Sequence, residues 1–388
     1  MAAGVHRKPG AQARASCVHP ERSGDRIMLH RRTLLAAAAA AALPSNAMAQ
    51  TPSDAGARVE QLTDNAFAIL HDNATDEWPH SNVGVIVGRR SVFVIDSNYL
   101  PSRAVADIAL IRQITDKPVS HLVTTHWHFD HNNGAIAYRD AFPNVELIAE
   151  RETARWIELN QTYWQRLSTA PESARRAALT TLEQELATGA ALTAEERAAR
   201  TTIIAQRQNE MRELGELRIV TPERVFDGQL NLNFEGTRIE IKDWGPANSP
   251  HDATIWLPRE RILFAGDILV QSPLPYTGAS WPVHWAQVLR QIEAMPIAKL
   301  VPGHGPVMTD HSYTRAVGAL MEATLTRVEA MVREGKTLAQ VQDDLNLDDV
   351  RAAVPVWNGP DVPDDDWTYT RRTLAERAFV GLRGQGGR

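Results

Sequence analysis

Cysteine is almost missing from this chain of 388 residues: Cys17 stands alone, so no disulfide can form and no pair of thiolates can hold a metal. A Gly-x-Ser-x-Gly elbow is also missing, which removes the usual serine route to a covalent intermediate. No apolar run reaches the roughly 20 residues that a bilayer span requires. The charges, 41 Lys and Arg against 47 Asp and Glu, are spread along the sequence and form no basic stripe. A phosphate backbone would find no matching surface, so no nucleic-acid partner is expected. What remains is an ordinary globular composition, 43% hydrophobic and 23% charged, able to bury a sizeable core.

The N-terminus has the order of an export signal. His30, Arg31 and Arg32 are followed by Thr33, Leu34 and Leu35, then an alanine run, then Ala47-Met48-Ala49 before Gln50. Basic, apolar and small-residue regions in that order predict residues 28–49 as a signal peptide cleaved near Ala49-Gln50. The paired arginines resemble a twin-arginine signal, and the apolar stretch from Leu34 to about Leu43 is too short to anchor the chain. A start at Met28 gives a compact leader, so residues 1–27, Cys17 included, are expected to lie ahead of the true start. The mature protein is then periplasmic or secreted, and any metal in it rests on histidine and carboxylate.

Short apolar runs at Ala66–Leu70, Val83–Val87 and Val92–Asp96 predict consecutive strands. Residues 102–115 have the spacing of an amphipathic helix, and His121–Thr125 reads as a buried strand. Residues 151–214, rich in Ala, Glu, Arg and Leu, predict a helical insertion, with Thr193-x-x-Glu196 as a capping box and Pro171 near another helix start. Strand patterns return at Arg238–Ile241, Thr254–Leu257 and Arg261–Ala265, and the tail after Ser312 is mainly helical. The strand-rich halves flanking the insertion suggest duplication, although no repeat aligns.

One cluster carries chemistry. Thr125-His126-Trp127-His128-Phe129-Asp130-His131 places three imidazoles and a carboxylate within six residues, a mix of nitrogen and hard oxygen donors suited to a dinuclear site. On an extended segment His126 and His128 share a side and can share one ion. Asp130 and His131, at the turn into the helix begun by Asn133-Gly134, can reach a second. By chance His-x-His-x-Asp-His occurs in roughly one such chain in a thousand, which sets histidines merely packed or capping aside.

At these residues the chain resembles the metallo-β-lactamase superfamily, from about Val59 to Val307. The resemblance implies an α/β fold, an αββα sandwich with a helical insertion and a helical C-terminal extension. It would divide the chain into a leader (1–49), a catalytic domain (50–312) and the extension (313–388). It implies that Asp96 supports the metal loop from behind, that Asp267 in Ala265-Gly266-Asp267 bridges two metals as in glyoxalase II-like members, and that His304 in Val301-Pro302-Gly303-His304-Gly305 is the last ligand. The usual histidine of the first metal falls on Asn248. An amide oxygen is a weaker zinc ligand than imidazole, so His251 is preferred as the third donor, with Asn248 as its rival.

The resemblance further implies a hydrolase that uses two zinc ions per chain, with iron or manganese as alternatives. A metal-bridging hydroxide would attack an ester, thioester, lactone or amide bond, β-lactams included, in a small molecule, while Asp130 orients or shuttles the proton. Antibiotic-hydrolysing members usually carry Cys or Ser where this chain has Asp267, and lack so long an insertion. Two other classes remain open: a periplasmic metal-binding accessory protein without turnover, and a mononuclear iron oxygenase on the same fold. Trp78, His80, Tyr276 and Trp281 are candidates to flank the site, and Trp156, Tyr163 and Trp164 to form a lid; ordinary packing explains such aromatics as readily.

Overall fold

The computed structural model describes residues 56–71, 80–160, 174–188, 192–271, 274–359 and 362–384. The expected leader and its cleavage point, Trp78, Tyr163, Trp164 and Pro171 lie outside the described residues.

Twelve strands form two sheets among the described residues. The first holds β1 (Ala57–Gln61), β2 (Ala66–His71), β3 (Val83–Val87), β4 (Val92–Ile95), β5 (Val119–Val123), β6 (Glu146–Glu150) and β7 (Arg224–Phe226) in sequence order. β1 to β4 pair antiparallel, and β4 to β7 pair parallel. The second holds β8 (Gln229–Phe234), β9 (Thr237–Asp243), β10 (Ala253–Leu257), β11 (Ile262–Phe264) and β12 (Lys299–Val301), antiparallel except for the parallel pair of β11 with β12.

Alternation explains why both faces are covered. Along β4, Phe93 and Ile95 point into the core between the sheets, while Val92 and Val94 point to the outer core. Along β11, Ile262 and Phe264 face inward and Leu263 outward. A strand whose two faces are both apolar needs a layer on each side. On the first sheet that layer is α1 (Pro101–Ile114) and α3 (Ala135–Ala141), through Ile108, Ile111 and Tyr138. On the second it is α7 (Pro282–Glu293) and α8 (Ser312–Arg333), through Trp285, Leu320 and Met321. The result is the expected α/β sandwich of two sheets between helical layers.

Between β6 and β7 lie α4 (Arg151–Leu159), α5 (Ala174–Ala187) and α6 (Ala194–Glu216). Thr193 and Glu196 make the reciprocal capping box that starts α6. The far end of α6 returns to the sandwich: Leu214 joins Tyr99, Leu100 and Phe129 in a small core, and Tyr99 Oη donates to Glu210 Oε1 at 2.5 Å. Phe129 of that core is the neighbour of Asp130 in the chain.

The C-terminal helices α9 (Leu338–Asp344), α10 (Asp348–Ala352) and α11 (Asp364–Leu382) complete the outer core with α7 and α8. Trp285, Trp357, Trp367 and Leu374 are buried there, each contributing about 1.5–3 kcal/mol of apolar burial. Polar tips of this layer fix the segment after β11, since Trp285 Nε1 donates to Ile268 O at 3.1 Å and Tyr313 Oη to Val270 O at 2.6 Å. Among the described residues no helix is long and apolar enough to cross a membrane.

Candidate metal centre

β5 ends at Val123, so Thr124 to His128 leave the sheet beyond its carboxyl edge, where α/β folds place their sites. Asp130 and His131 occupy a short helical turn of their own, α2 (Phe129–Asn132), ahead of α3 rather than in the turn that begins it. Asp267 sits in a turn after β11, and His304 follows β12. Neighbouring strand ends thus supply donors that are far apart in sequence.

These side chains converge in two groups. His126, His128 and Asp267 form one, and Asp130, His131, Asp267 and His304 the other, with ligand atoms in each group within 4.8 Å of one another. His126 Nε2 is 2.8 Å from His128 Nδ1 and 3.6 Å from Asp267 Oδ2. On the other side, Asp267 Oδ1 is 3.1 Å from His131 Nε2 and 3.4 Å from His304 Nε2, and Asp130 Oδ2 is 3.0 Å from His304 Nε2. Asp267 therefore gives one oxygen to each group.

Outward hydrogen bonds fix the imidazoles. Asp96 Oδ2 accepts from His131 Nδ1 at 2.8 Å and from Thr125 Oγ1 at 2.9 Å, and Asp96 Oδ1 accepts from Thr125 N at 2.8 Å. These bonds hold Asp96 at φ 62°, a conformation costing about 1–2 kcal/mol in an L-residue. His304 Nδ1 lies 3.0 Å from His80 O, and Asn82 clamps the same loop through Pro302 O and Gly305 O. With Nδ1 of His131 and of His304 bound behind, Nε2 of each is the atom turned to the cluster. We expect Asp96→Asn to weaken metal binding about 10- to 100-fold, read by competition with a chelator. Unchanged affinity would remove this supporting role.

Electrostatics follow from burial. It opposes charge on His131, yet Asp267, Asp130 and Asp96 hold that imidazole well above the ordinary histidine range. It opposes charge on Asp267 too, but His131, His304 and His126 keep its carboxyl well below the usual carboxylate range. Burial and the neighbouring His126 push His128 down.

The donors suit divalent cations. His131 Nε2 and Asp267 Oδ1 are buried and 3.1 Å apart, yet neither makes a hydrogen bond. Once His131 gives up its Nε2 proton, these two atoms converge on a third partner, as the donors of one cation would. Neutral imidazole with anionic carboxylate is the ligand chemistry of zinc, and of iron or manganese.

The preference for His251 over Asn248 meets a different geometry. His251 does not join His126 and His128; its Nδ1 is 3.0 Å from Asp243 Oδ2 and 3.5 Å from Glu150 Oε2, forming a separate trio. The cause is the turn before β10. Asp252 Oδ2 accepts the amides of Ala247 and Ser249, and Ser249 Oγ donates to His251 O at 2.8 Å, which turns the ring toward Glu150. Asn248 is fully buried, its Nδ2 donates to Tyr276 O at 2.7 Å, and its Oδ1 has no hydrogen-bond partner.

Other residues of the site carried no signal in the sequence. Asp252, whose carboxyl burial pushes up to about 7, shapes the Asn248 turn. Glu150 caps α4 by accepting from Thr153 N at 3.0 Å and meets His251. Of the flanking aromatics, Tyr276 lies against His128 and Trp156 against Trp127, while Trp281 N donates to Ala247 O.

The sequence profile of the Metallo-beta-lactamase superfamily matches residues 76–304. Over 227 residues the chain is 23% identical to a linear primary-alkylsulfatase of a Pseudomonas species, covering 57% of this chain and 40% of that protein. The chain thus spans about two fifths of the length of that relative. In structure it is similar to a metallo-beta-lactamase from Pontibacter korlensis, at TM-score 0.50 and 16% identity, covering 69% of this chain and 99% of the other. At that identity the likeness shows the fold and carries no substrate with it.

Proposed function

Because the chain belongs to the Metallo-beta-lactamase superfamily, we propose that its His and Asp cluster holds two divalent ions, zinc foremost, and hydrolyses an ester-type bond in a small molecule. The observation that carries this reading is the division of Asp267, one carboxylate oxygen to each donor group. A site meant only to store one ion has no need of that split.

When bound, such ions supply Lewis acidity, lowering the pKa of water and polarising an acyl, phosphoryl or sulfuryl oxygen. The protein's own groups do the rest. His131 and His304 keep their lone pairs inward because Asp96 and His80 O occupy their other nitrogens. Asp130, buried, is drawn below the ordinary carboxylate range by His131 and His304, so it stays anionic and can take a proton and return it to the leaving group. Asn248, whose buried Oδ1 makes no hydrogen bond, would then be the third donor beside His126 and His128 in place of His251.

Carboxylic esters, thioesters, lactones and β-lactams belong to this chemistry, and the alkylsulfatase relative adds sulfate esters. With residues 28–49 read as an export signal, the activity belongs to the periplasm or the exterior.

The test is a screen of the zinc-loaded mature chain against these classes and phosphoesters, with Asp130→Ala beside it. Turnover of one ester class is expected, falling about 10²- to 10⁴-fold in the variant. Equal turnover in both, or one iron per chain with oxygen consumption, overturns the reading. In parallel, His251→Ala should keep two ions and Asn248→Ala one; the reverse restores His251 as the ligand.

A further inference from the structure

Three aromatic side chains from three separate segments join in a chain of ring contacts that runs through His128. The Trp127 ring is 5.0 Å from that of His128 and tilted by 57°, and Trp156 on α4 lies 5.7 Å beyond Trp127. Tyr276 meets His128 edge-on at 5.5 Å. Tyr276 is 40% exposed, and Leu159, one turn after Trp156, is 60% exposed. Apolar surface left open next to a buried polar centre is where a ligand's hydrocarbon part would be covered.

Both sides of this surface are held in place. α4 is fixed at its start by Glu150, which caps it and meets His251. Tyr276 belongs to a loop tied down by α11: Thr277 Oγ1 pairs with Thr373 Oγ1 at 2.5 Å, and Arg377 Nε donates to Gly278 O at 2.8 Å. Gly278 admits the hydroxyls of both Tyr276 and Tyr369, which a Cβ there would meet at 2.7 and 2.8 Å. A surface preset in this way binds without the cost of ordering it.

We propose that Trp127, Trp156 and Tyr276 form an apolar subsite at the His128 end of the metal cluster, which binds the alkyl or aryl group of an ester substrate. The subsite rests on the cluster being the reaction centre. It makes substrate choice depend on hydrocarbon size, since each methylene buried is worth about 0.8 kcal/mol, or roughly fourfold in affinity at full burial.

The test uses zinc-loaded protein and two measurements. In the first, kcat/KM is followed along p-nitrophenyl esters from acetate to decanoate. It should rise about two- to fourfold per methylene over the first several carbons. The decanoate to acetate ratio should fall at least tenfold in Trp156→Ala and in Tyr276→Ala, and Trp156→Phe should restore most of it through KM. In the second, n-alkylphosphonates from ethyl to decyl are titrated by tryptophan fluorescence, and Kd should tighten with length in the wild type only. Length-dependent phosphonate binding without turnover of any ester supports the subsite while defeating the hydrolase reading. Turnover without length dependence, or equal slopes in wild type and both alanine variants, overturns the subsite. So does a dimer in sedimentation velocity that Tyr276→Ala dissociates while the length dependence is absent, since the rings would then be covered by a second copy.

Discussion

Asp267→Ala is expected to strip both ions at once. Metal analysis of the dialysed variant should find close to none, and hydrolysis should fall by about three orders of magnitude or more, since a metal's contribution is several kcal/mol. The reason is geometric: Oδ2 lies toward His126 while Oδ1 lies toward His131 and His304. His304→Ala, by contrast, removes a donor from one group alone and should leave one ion. A variant of Asp267 that keeps one ion at wild-type affinity would mean that the two groups are independent.

Gly303→Ala should rival that loss without removing a donor side chain. A Cβ at Gly303 would stand 2.0 Å from Asp267 Oδ1 and 2.9 Å from Gly266 C. Neither loop can retreat, because Gly303 N donates to Gly266 O at 2.8 Å and to Leu269 O at 3.0 Å, while Asn82 holds the residues on either side. Overpacking of this severity costs about 3 kcal/mol, or roughly 6–12 °C in Tm for a domain of this size. Calorimetry and metal analysis on the same sample check it. A variant with the parent Tm and full metal content would show that the two loops can part.

The sequence made some parts of this molecule plain and hid others. His126, His128, Asp130 and His131 are legible because four donors are contiguous and need only a short loop to converge. The strands are legible because Val92 to Ile95 and their counterparts alternate or stay apolar across a sheet covered on both sides. Asp267 and His304 stand out only through family resemblance, since nothing local distinguishes them from turn residues. The contest between Asn248 and His251 was beyond reach, because it depends on one carboxylate, Asp252, holding two amides, and on Glu150 and Asp243 arriving from other strands. His80 and Asn82 act on residues more than 200 positions away, through backbone oxygens that no sequence pattern reports.

The bond between α11 and the loop at Gly278 puts an order into synthesis. All donors have left the ribosome once His304 has, but the helix that fixes Tyr276 reaches Arg377 roughly 70 residues later, several seconds at about 5–20 residues per second. Every donor of the cluster is therefore made before the helix that ties down the loop of Tyr276.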